Sequence, residues 1–309
     1  MNLTLSIYFA SDKTYLTVLE PTKKGLSLVY VNSTFNPVNL EKEDELFSQP
    51  GVIELLNLFE ELPENISQLT LTLPAENVAV TQFPGMTDMS IDDMKKLVEL
   101  EIRQTLPQFN FDVFLATTIP LMPKLDEQKM ILAIILSKQS FKSCNLIAEK
   151  LGLPVLNIEI SQMNAHSAFL YNYPEHFDKA IALMGFQGKF VDISVIKEGK
   201  PYYYNLIGFT DIEFITHILQ KEINKILSEY ISTVDYAYLF GAGLTKEILS
   251  LAGNSLSGFV NETKKLNAFR MLTTTLSERE RKYCSRTAHI YPPCIGGSMV
   301  SYHERFKLV

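Results

Sequence analysis

Two glycine-bearing turns carry the residues of this sequence that are best suited to bind an anion. Gly188 and Lys189 stand between two apolar, strand-like runs, where they would present a backbone N–H group and a positive charge. Gly241 and Gly243 lie between a short apolar strand and a helical pattern. Glycine lets a ligand approach the backbone closely, and a helix N-terminus favours negative charge. A tight strand-to-helix turn also selects glycine, so the pattern leaves an anion site and a purely structural turn both open.

Other catalytic and metal-binding patterns are missing from the sequence. The five histidines and three cysteines lack the spacing of a zinc site. The chain has no P-loop, no complete dinucleotide-binding fingerprint and no Gly-x-Ser-x-Gly nucleophile elbow. The acidic run 41–45 and the pair Asp92 and Asp93 are typical of solvated loops and helix starts, and the run 277–282 is typical of a solvated helix face. P-loop, Rossmann and hydrolase chemistry are therefore not indicated.

The composition is that of a globular protein of ordinary size. The 309 residues are enough for two domains, and fractions of 46% hydrophobic and 20% charged residues argue against a disordered chain. The net charge of −7 argues against a protein that coats nucleic acid or anionic lipid. Few, scattered cysteines fit a reducing compartment, and we expect no secretory signal and no membrane span. The composition thus predicts a cytoplasmic protein.

Two distant segments read as the same supersecondary unit. Residues 3–32 and 179–206 each contain three strand-like runs separated by turns rich in lysine and glycine. Each meander is followed by a helical pattern and one more strand, and in the second copy Thr210 and Glu213 have the spacing of a capping box. The sequence therefore predicts an α/β protein in which a βββαβ unit occurs twice.

A separate α+β block is predicted between the two units, at about 76–160. A strand precedes a helix whose apolar stripe includes Met94, Leu97, Val98 and Ile102, and Pro107 is expected to end this helix. Two strands, a helix over about 140–151 and a further strand follow. We therefore predict a first lobe at 1–75, a small inserted subdomain at 76–160 and a second lobe at 161–309.

These features resemble a known family. The duplicated βββαβ plan is similar to the two-lobed actin-like (ribonuclease H-like) ATPase fold, and the inserted block resembles that of the bacterial pilus-assembly protein PilM and its relative FtsA. The sharpest match is to a PilM-type helix ending in Glu-x-x-Gln-x-Ile-Pro-Phe, whose places are taken here by Glu101, Gln104, Leu106 and Pro107, with Phe109 one position beyond the phenylalanine. The resemblance leaves open whether the C-terminal segment packs back on the first lobe.

The resemblance implies a nucleotide cleft whose first turn is altered in this chain. In active members, two hairpin turns cradle the phosphates with backbone N–H groups, and carboxylates at these turns hold Mg²⁺. Tyr8 stands where the family has an aspartate, and Ala10 and Tyr15 replace a glycine and a basic residue. Ser11 and Asp12 remain as candidate ligands at this turn.

The second turn departs from the family pattern in the same way. Residues 185–187 read Gly-Phe-Gln where an Asp-x-Gly would stand, which leaves Gly188 and Lys189 to contact an anion. Gly241 and Gly243 resemble the adenosine-side motif of the family. Without an acidic residue at either turn, a metal-bound triphosphate has little to hold its metal. We therefore predict a vestigial nucleotide cleft, with no metal and no ATP cofactor.

The resemblance further implies a function as a non-catalytic scaffold or adaptor. PilM-like proteins dock a short cytoplasmic tail of an inner-membrane protein of a pilus or secretion platform, in a groove between the first lobe and the inserted subdomain. Here Val98, Ile102 and Phe109 are the candidates to line that groove, although each could equally face the core. The chain is accordingly expected in the cytoplasm, held at the inner membrane through its partner.

Two alternatives from other classes stay open at this level. One is an active ATPase or small-molecule kinase that uses Asp12, Asp192 and Gly241 in unorthodox positions. The other is a filament-forming cytoskeletal protein, which the fold permits.

Overall fold

The computed structural model describes residues 3–85, 89–105, 107 and 110–299. The strands are β1 (Leu3–Phe9), β2 (Thr14–Thr22), β3 (Gly25–Ser33), β4 (Ile66–Leu73), β5 (Val78–Pro84), β6 (Phe114–Pro120), β7 (Met130–Ser137), β8 (Val155–Ile160), β9 (Ile181–Gln187), β10 (Phe190–Lys197), β11 (Lys200–Gly208), β12 (Tyr236–Phe240), β13 (Glu262–Lys265) and β14 (Thr273–Thr274). The helices are α1 (Pro50–Glu60), α2 (Ile91–Thr105), α3 (Lys138–Leu151), α4 (Ser161–Asn172), α5 (Phe214–Glu229), α6 (Lys246–Leu256), α7 (Glu278–Thr287) and α8 (Pro292–Gly297).

Two sheets of matching topology form the lobes. The first has the order β14-β3-β2-β1-β4-β8 and the second the order β11-β10-β9-β12-β13. In each sheet, three consecutive strands form an antiparallel meander. A helix then leads to a fourth strand, which pairs parallel with the first strand of the meander. β1 and β9 are buried along their whole length, which fits their mainly apolar sequences, LTLSIYF and IALMGFQ. The predicted duplication of a βββαβ unit is confirmed.

The start of α5 differs from the predicted capping box. The helix begins at Phe214, and Glu213 is its N-cap without a side-chain hydrogen bond to the helix. Instead, the Asp211 carboxylate accepts a hydrogen bond from the Glu213 N–H group, at 3.3 Å. Aspartate competes for backbone donors two residues on, so a local Asx turn takes the place of the Thr210 cap.

The block between the two units contains a small antiparallel sheet with the order β5-β7-β6. Helix α2 packs on one face of this sheet, and its first turn is capped by Ser90, whose hydroxyl accepts from the Asp93 N–H group at 3.2 Å. The opposite face joins the main core through Leu132 and Ile134. Under α2 lies a compact apolar cluster of Phe83, Val98, Ile102, Ile131, Ala133 and Ile135.

The predicted block 76–160 contributes strands to two sheets. β5, β6 and β7 form the small sheet, whereas β8 pairs parallel with β4 at the edge of the first lobe's sheet. α3, capped by the Ser137 hydroxyl and ended by Gly152 at φ 65°, leads from β7 to β8. The division into domains at 76 and 160 therefore stays a prediction, with β8 lying in the first sheet.

The C-terminal segment packs back on the first lobe. β14 pairs with β3, and α8 lies against α4, β1, β2 and β4. Gly296 permits the close crossing of α4 and α8, because a Cβ atom there would lie 1.7 Å from the carbonyl oxygen of Asn164. Within the described residues, no helix has the length and apolarity needed to cross a membrane.

Candidate functional site

A direct hydrogen bond joins the two strands that lead into the predicted phosphate turns. The Tyr8 hydroxyl, at the end of β1, donates to Oε1 of Gln187, at the end of β9, at 2.6 Å. Tyr8 is 1% exposed and Gln187 is 3% exposed. The side chains that replace the carboxylate and glycine expected from the family pattern therefore bind each other.

Gln187 continues this bond into a buried network. Its Nε2 atom donates to Oγ of Ser161 at 2.9 Å and to Oδ2 of Asp192 at 2.7 Å. The Tyr204 hydroxyl donates to the other Asp192 oxygen, Oδ1, at 2.7 Å. Buried polar groups are costly unless they are hydrogen-bonded, so this network stabilises the observed contact between the two lobes. We call Tyr8, Ser161, Gln187, Asp192 and Tyr204 the cleft network.

The Asp192 carboxyl is unsuited to be an exposed metal ligand. Burial raises its pKa to about 7, the hydrogen bond from Tyr204 lowers the pKa, and the negative charge of Glu76 raises it. Both carboxyl oxygens already accept hydrogen bonds inside the network. Across the part of the chain that the structure describes, no group of three or more acidic, histidine or cysteine side chains is placed to hold a metal ion.

The buried Asp192 predicts a specific pH dependence of stability. An unfolded aspartate titrates near pH 3.9, so between about pH 4 and pH 7 the folded protein retains a proton that the unfolded chain has lost. The stabilisation from Asp192 is fully present below the unfolded pKa of about 3.9. It is lost as the pH rises through the folded pKa of about 7. Between about pH 5 and pH 8, the melting temperature of Asp192→Asn is therefore expected to fall less with rising pH than that of the native chain.

Thermal scans across this pH range test the expectation. Asp92→Asn, which changes an exposed carboxylate at the start of α2, is the matched control and should follow the native chain. A decline in Asp192→Asn as steep as that of the native chain would show that Asp192 does not titrate in this window.

The other cleft residues singled out from the sequence lie at the rim. Ser11, Asp12, Gly188 and Lys189 are exposed. The Asp12 carboxylate accepts a hydrogen bond from the Tyr15 hydroxyl at 2.8 Å. The tips of the two turns are close, since a Cβ atom on Gly188 would lie 3.1 Å from Oγ of Ser11. Their role as nucleotide ligands stays a prediction.

The glycine turn after β12 is used by the fold itself. The Gly241 N–H group donates to the His289 carbonyl at 2.7 Å, and the Gly243 N–H group donates to the Phe186 carbonyl at 2.9 Å. Gly241 has a φ of 108°, and a Cβ atom there would lie 2.2 Å from the Phe186 oxygen. The packing of the turn thus explains why both positions are glycine. Their binding of a nucleotide stays a prediction.

A groove of about 750 Å³ lies between α2 and β6, and all of its lining residues belong to the inserted unit, whereas the resemblance implied a groove between the first lobe and this unit. Val98, one of the predicted partner-binding residues, lines it but is only 2% exposed. Ile102 lies beneath the groove in the apolar core, and Phe109 lies outside the described residues. The lining residues are Met89, Met94, Lys95, Lys96, Val98, Glu99, Phe111, Phe114, Leu115, Ala116, Thr117, Thr118, Pro120, Ile131 and Lys138.

β6 forms an edge of the small sheet, and its outward backbone groups border the groove. It pairs with β7, and no other described strand pairs with it. The Leu121 N–H group donates to the Met130 carbonyl, which fixes the hydrogen-bonded register of the two strands. Because such pairs alternate, the odd-numbered residues of β6 bond to β7, and the N–H and C=O groups of Ala116 and Thr118 point away from it.

Sequence reasoning missed the bond between Tyr8 and Gln187 and the edge strand beside the groove. The replacements at both turns were visible, but the contact joins residues 179 positions apart. The signal that could have indicated this bond is the residue types, because Tyr8 and Gln187 are long polar side chains at facing positions where the family pattern has short ones. For β6, the sequence predicted a strand but not which of its edges is paired.

The chain has the actin-like ATPase fold. Its fold is similar to that in the solved structure of a PilM–PilN type IV pilus biogenesis complex, with a TM-score of 0.71, 13% identity and coverage of 96% of this chain and 97% of that one. A protein of unknown function from Bacteroides thetaiotaomicron, with an actin-like ATPase fold, gives a TM-score of 0.54 at 12% identity, covering 86% of this chain and 91% of that one.

A third similar structure is the cytoplasmic domain of EpsL, an inner-membrane component of the type II secretion system of Vibrio cholerae. Its TM-score is 0.49 at 7% identity, with coverage of 83% of this chain and 95% of that one. No family model matches the sequence, and comparison with curated proteins gives no match.

Proposed function

We propose that this chain is a non-catalytic adaptor that binds a short cytoplasmic tail of an inner-membrane protein in a pilus-like or secretion assembly. The observation that carries the proposal is the groove of about 750 Å³ between α2 and β6, which combines apolar walls with exposed backbone groups. An extended protein segment needs both features, because backbone bonds supply affinity and apolar pockets supply specificity.

The cleft network supports the non-catalytic part of the proposal. A phosphate cradle requires free backbone donors and carboxylates able to hold a metal. Here Tyr8 and Gln187 bind each other between the turns, and the two Asp192 oxygens accept from Gln187 and Tyr204. An ATPase that used Asp192 would have to break this network first. The adaptor is thus favoured over the ATPase and kinase alternatives.

The similarity in fold to PilM supports the kind of assembly that we propose. In that structure PilM stands in complex with PilN, in type IV pilus biogenesis. By analogy, the partner of this chain is an inner-membrane assembly protein, and the chain is a cytoplasmic protein held at the membrane surface through that partner. This analogy rests on fold, so the groove and its occupant need a direct test.

Site-specific photocrosslinking in the native host tests the adaptor function. A photoreactive amino acid replaces Lys95, an exposed residue at the lip of the groove, and in a matched control it replaces Lys246, an exposed residue at the start of α6. The Lys95 site is expected to capture a membrane protein through a segment outside its membrane span, and the Lys246 site is not. Capture of soluble proteins alone, or equal capture from both sites, would contradict the proposal.

A further inference from the structure

The free edge of β6 has the geometry needed to accept one more strand. Ala116 and Thr118 are partly exposed, and each directs one donor and one acceptor away from β7. The Ala116 side chain packs against the apolar cluster under α2. The Thr118 side chain lies on the same face of the sheet, because side chains alternate along a strand with a period of two. A segment paired with these residues would lie beside the groove and place every second side chain into it.

The groove itself fits apolar side chains at those inward positions. Met94 and Val98 of α2 form one wall, and Phe114 and Ala116 of β6 form the other. The small Ala116 leaves room between these larger groups. Side chains of an added strand repeat on one face about every 7 Å, so neighbouring inward residues would contact both walls in turn.

The charge around the groove is basic, in contrast to the net charge of −7 of the whole chain. Lys95, Lys96 and Lys138 line it, and in the described part of the chain no carboxylate lies within ion-pair distance of these three amines. The acidic residue of the lining, Glu99, is paired with Arg103 at 2.6 Å. Acidic groups on an incoming segment would therefore be drawn to this rim and repelled by most of the remaining surface.

We infer that the occupant of the groove is an extended segment that adds as a fourth strand to β6, with apolar residues at alternate positions and acidic residues flanking them. The inference rests on the proposed adaptor function and specifies its ligand. Backbone pairing to Ala116 and Thr118 gives affinity for any extended chain, the walls select the apolar residues, and the lysine rim selects the acidic flanks.

Binding of defined peptide pools tests the charge preference. One pool contains peptides about ten residues long, with Val, Leu, Ile or Phe at alternate positions, Thr or Ser between them and Asp or Glu at both ends. A matched pool has Lys or Arg at the ends. Fluorescence anisotropy should show at least about tenfold tighter binding of the acidic pool, equal to about 1.4 kcal/mol. No binding by either pool, or equal binding by both, would overturn the inference.

Two variants at one position test the strand pairing. Ala116→Pro removes an N–H group that points away from β7, so the fold should tolerate it, as edge strands tolerate proline on the solvent side. Ala116→Ser keeps that N–H group and is the matched control. The proline variant is expected to bind the acidic pool at least about tenfold more weakly than the serine variant. Equal binding by the two variants would exclude strand addition.

A complementary measurement covers the case in which the proline variant does not fold. N-methylation of alternate amides in the best-binding acidic peptide removes donors from one edge of the peptide at a time, with the native protein as the receptor. One set of methylations should abolish binding and the other set should not. Loss of binding with both sets, or with neither, would contradict strand addition.

The adaptor proposal and this inference can fail separately. Suppose that the Lys95 site captures a membrane protein, and that its crosslinked segment binds the Ala116→Pro and Ala116→Ser variants equally. The adaptor proposal would then be supported, and strand addition would be wrong. If the Lys95 site captures no membrane protein, the adaptor proposal fails whatever the peptides do. Self-association of the chain that Ala116→Pro abolishes would identify a second copy as the occupant and overturn the inference.

Discussion

Replacement of Gln187 by leucine is expected to destabilise the protein strongly. The substitution keeps a similar volume but leaves the buried Tyr8 hydroxyl and the Ser161 hydroxyl without this partner, and removes one donor from the Asp192 carboxyl. Each buried polar group that loses its partner costs about 1–3 kcal/mol. We therefore expect a loss of at least about 3 kcal/mol, which thermal scanning should record as roughly 2–4 °C for each kcal/mol.

A double variant separates the cleft network from simple damage to packing. Tyr8→Phe with Gln187→Leu removes both partners of the bond across the cleft, so it should be more stable than the sum of the two single losses predicts. Lys189→Ala, an exposed change two residues from Gln187, should leave the melting temperature nearly unchanged. Strictly additive losses in the double variant would mean that the two side chains do not act as a pair.

Replacement of Gly241 by alanine is expected to be similarly severe. Its φ of 108° is one that residues with a Cβ atom rarely adopt, and the new atom would lie 2.2 Å from the Phe186 carbonyl oxygen. The β12–α6 turn would have to move away from β9, which also breaks the bond between the Gly243 N–H group and that carbonyl. Strained backbone and a lost buried bond together are expected to cost about 3 kcal/mol or more.

Gly253→Ala is the matched control for this variant. Gly253 lies in α6, and a Cβ atom there would meet nothing within 4 Å. Alanine in a helix interior is favoured over glycine by about 1 kcal/mol, so this change should raise the melting temperature slightly. If Gly241→Ala were as stable as Gly253→Ala, the turn would not be packed against β9 as described.

The cleft network also connects to the unit that carries the groove. The side chain of Gln82, on β5 of the small sheet, donates to the backbone carbonyl of Tyr204, whose hydroxyl belongs to the network. The loop after β6 is held to the second lobe as well, because the Met122 N–H group donates to the Pro201 carbonyl at 2.8 Å. These two bonds connect the small sheet and the loop after β6 to the second lobe.

The repeated architecture was predictable from the sequence because its signals are local. Alternating or unbroken apolar runs, lysine and glycine turns and helical periods each arise within a few residues, and they define the two βββαβ units. The same local logic predicted α3 over about 140–151 and its end at Gly152, whereas its start at Lys138, after the Ser137 cap, was not predicted. The places where local rules compete, such as the start of α5, were predicted less well.

Pairing between distant segments could not be read in the same way. The position of β8 beside β4 and the return of α8 to the first lobe depend on which surfaces meet in space. At the candidate site, the sequence showed that Tyr8 and Gln187 depart from the family pattern, but not that they bind each other. Ile102 carried an apolar signal that fits a groove wall and a core position equally, and the structure places it in the core.

The most direct test of the account is the melting temperature of the native protein with and without magnesium and ATP at about millimolar concentration. A nucleotide present at 100 times its Kd would stabilise the folded state by about 2.7 kcal/mol, a rise of several degrees. Because Tyr8 and Gln187 occupy the place between the two turns, we expect no rise beyond that seen with magnesium chloride and sodium chloride of equal ionic strength. A rise of several degrees that requires both ATP and magnesium would contradict the adaptor account.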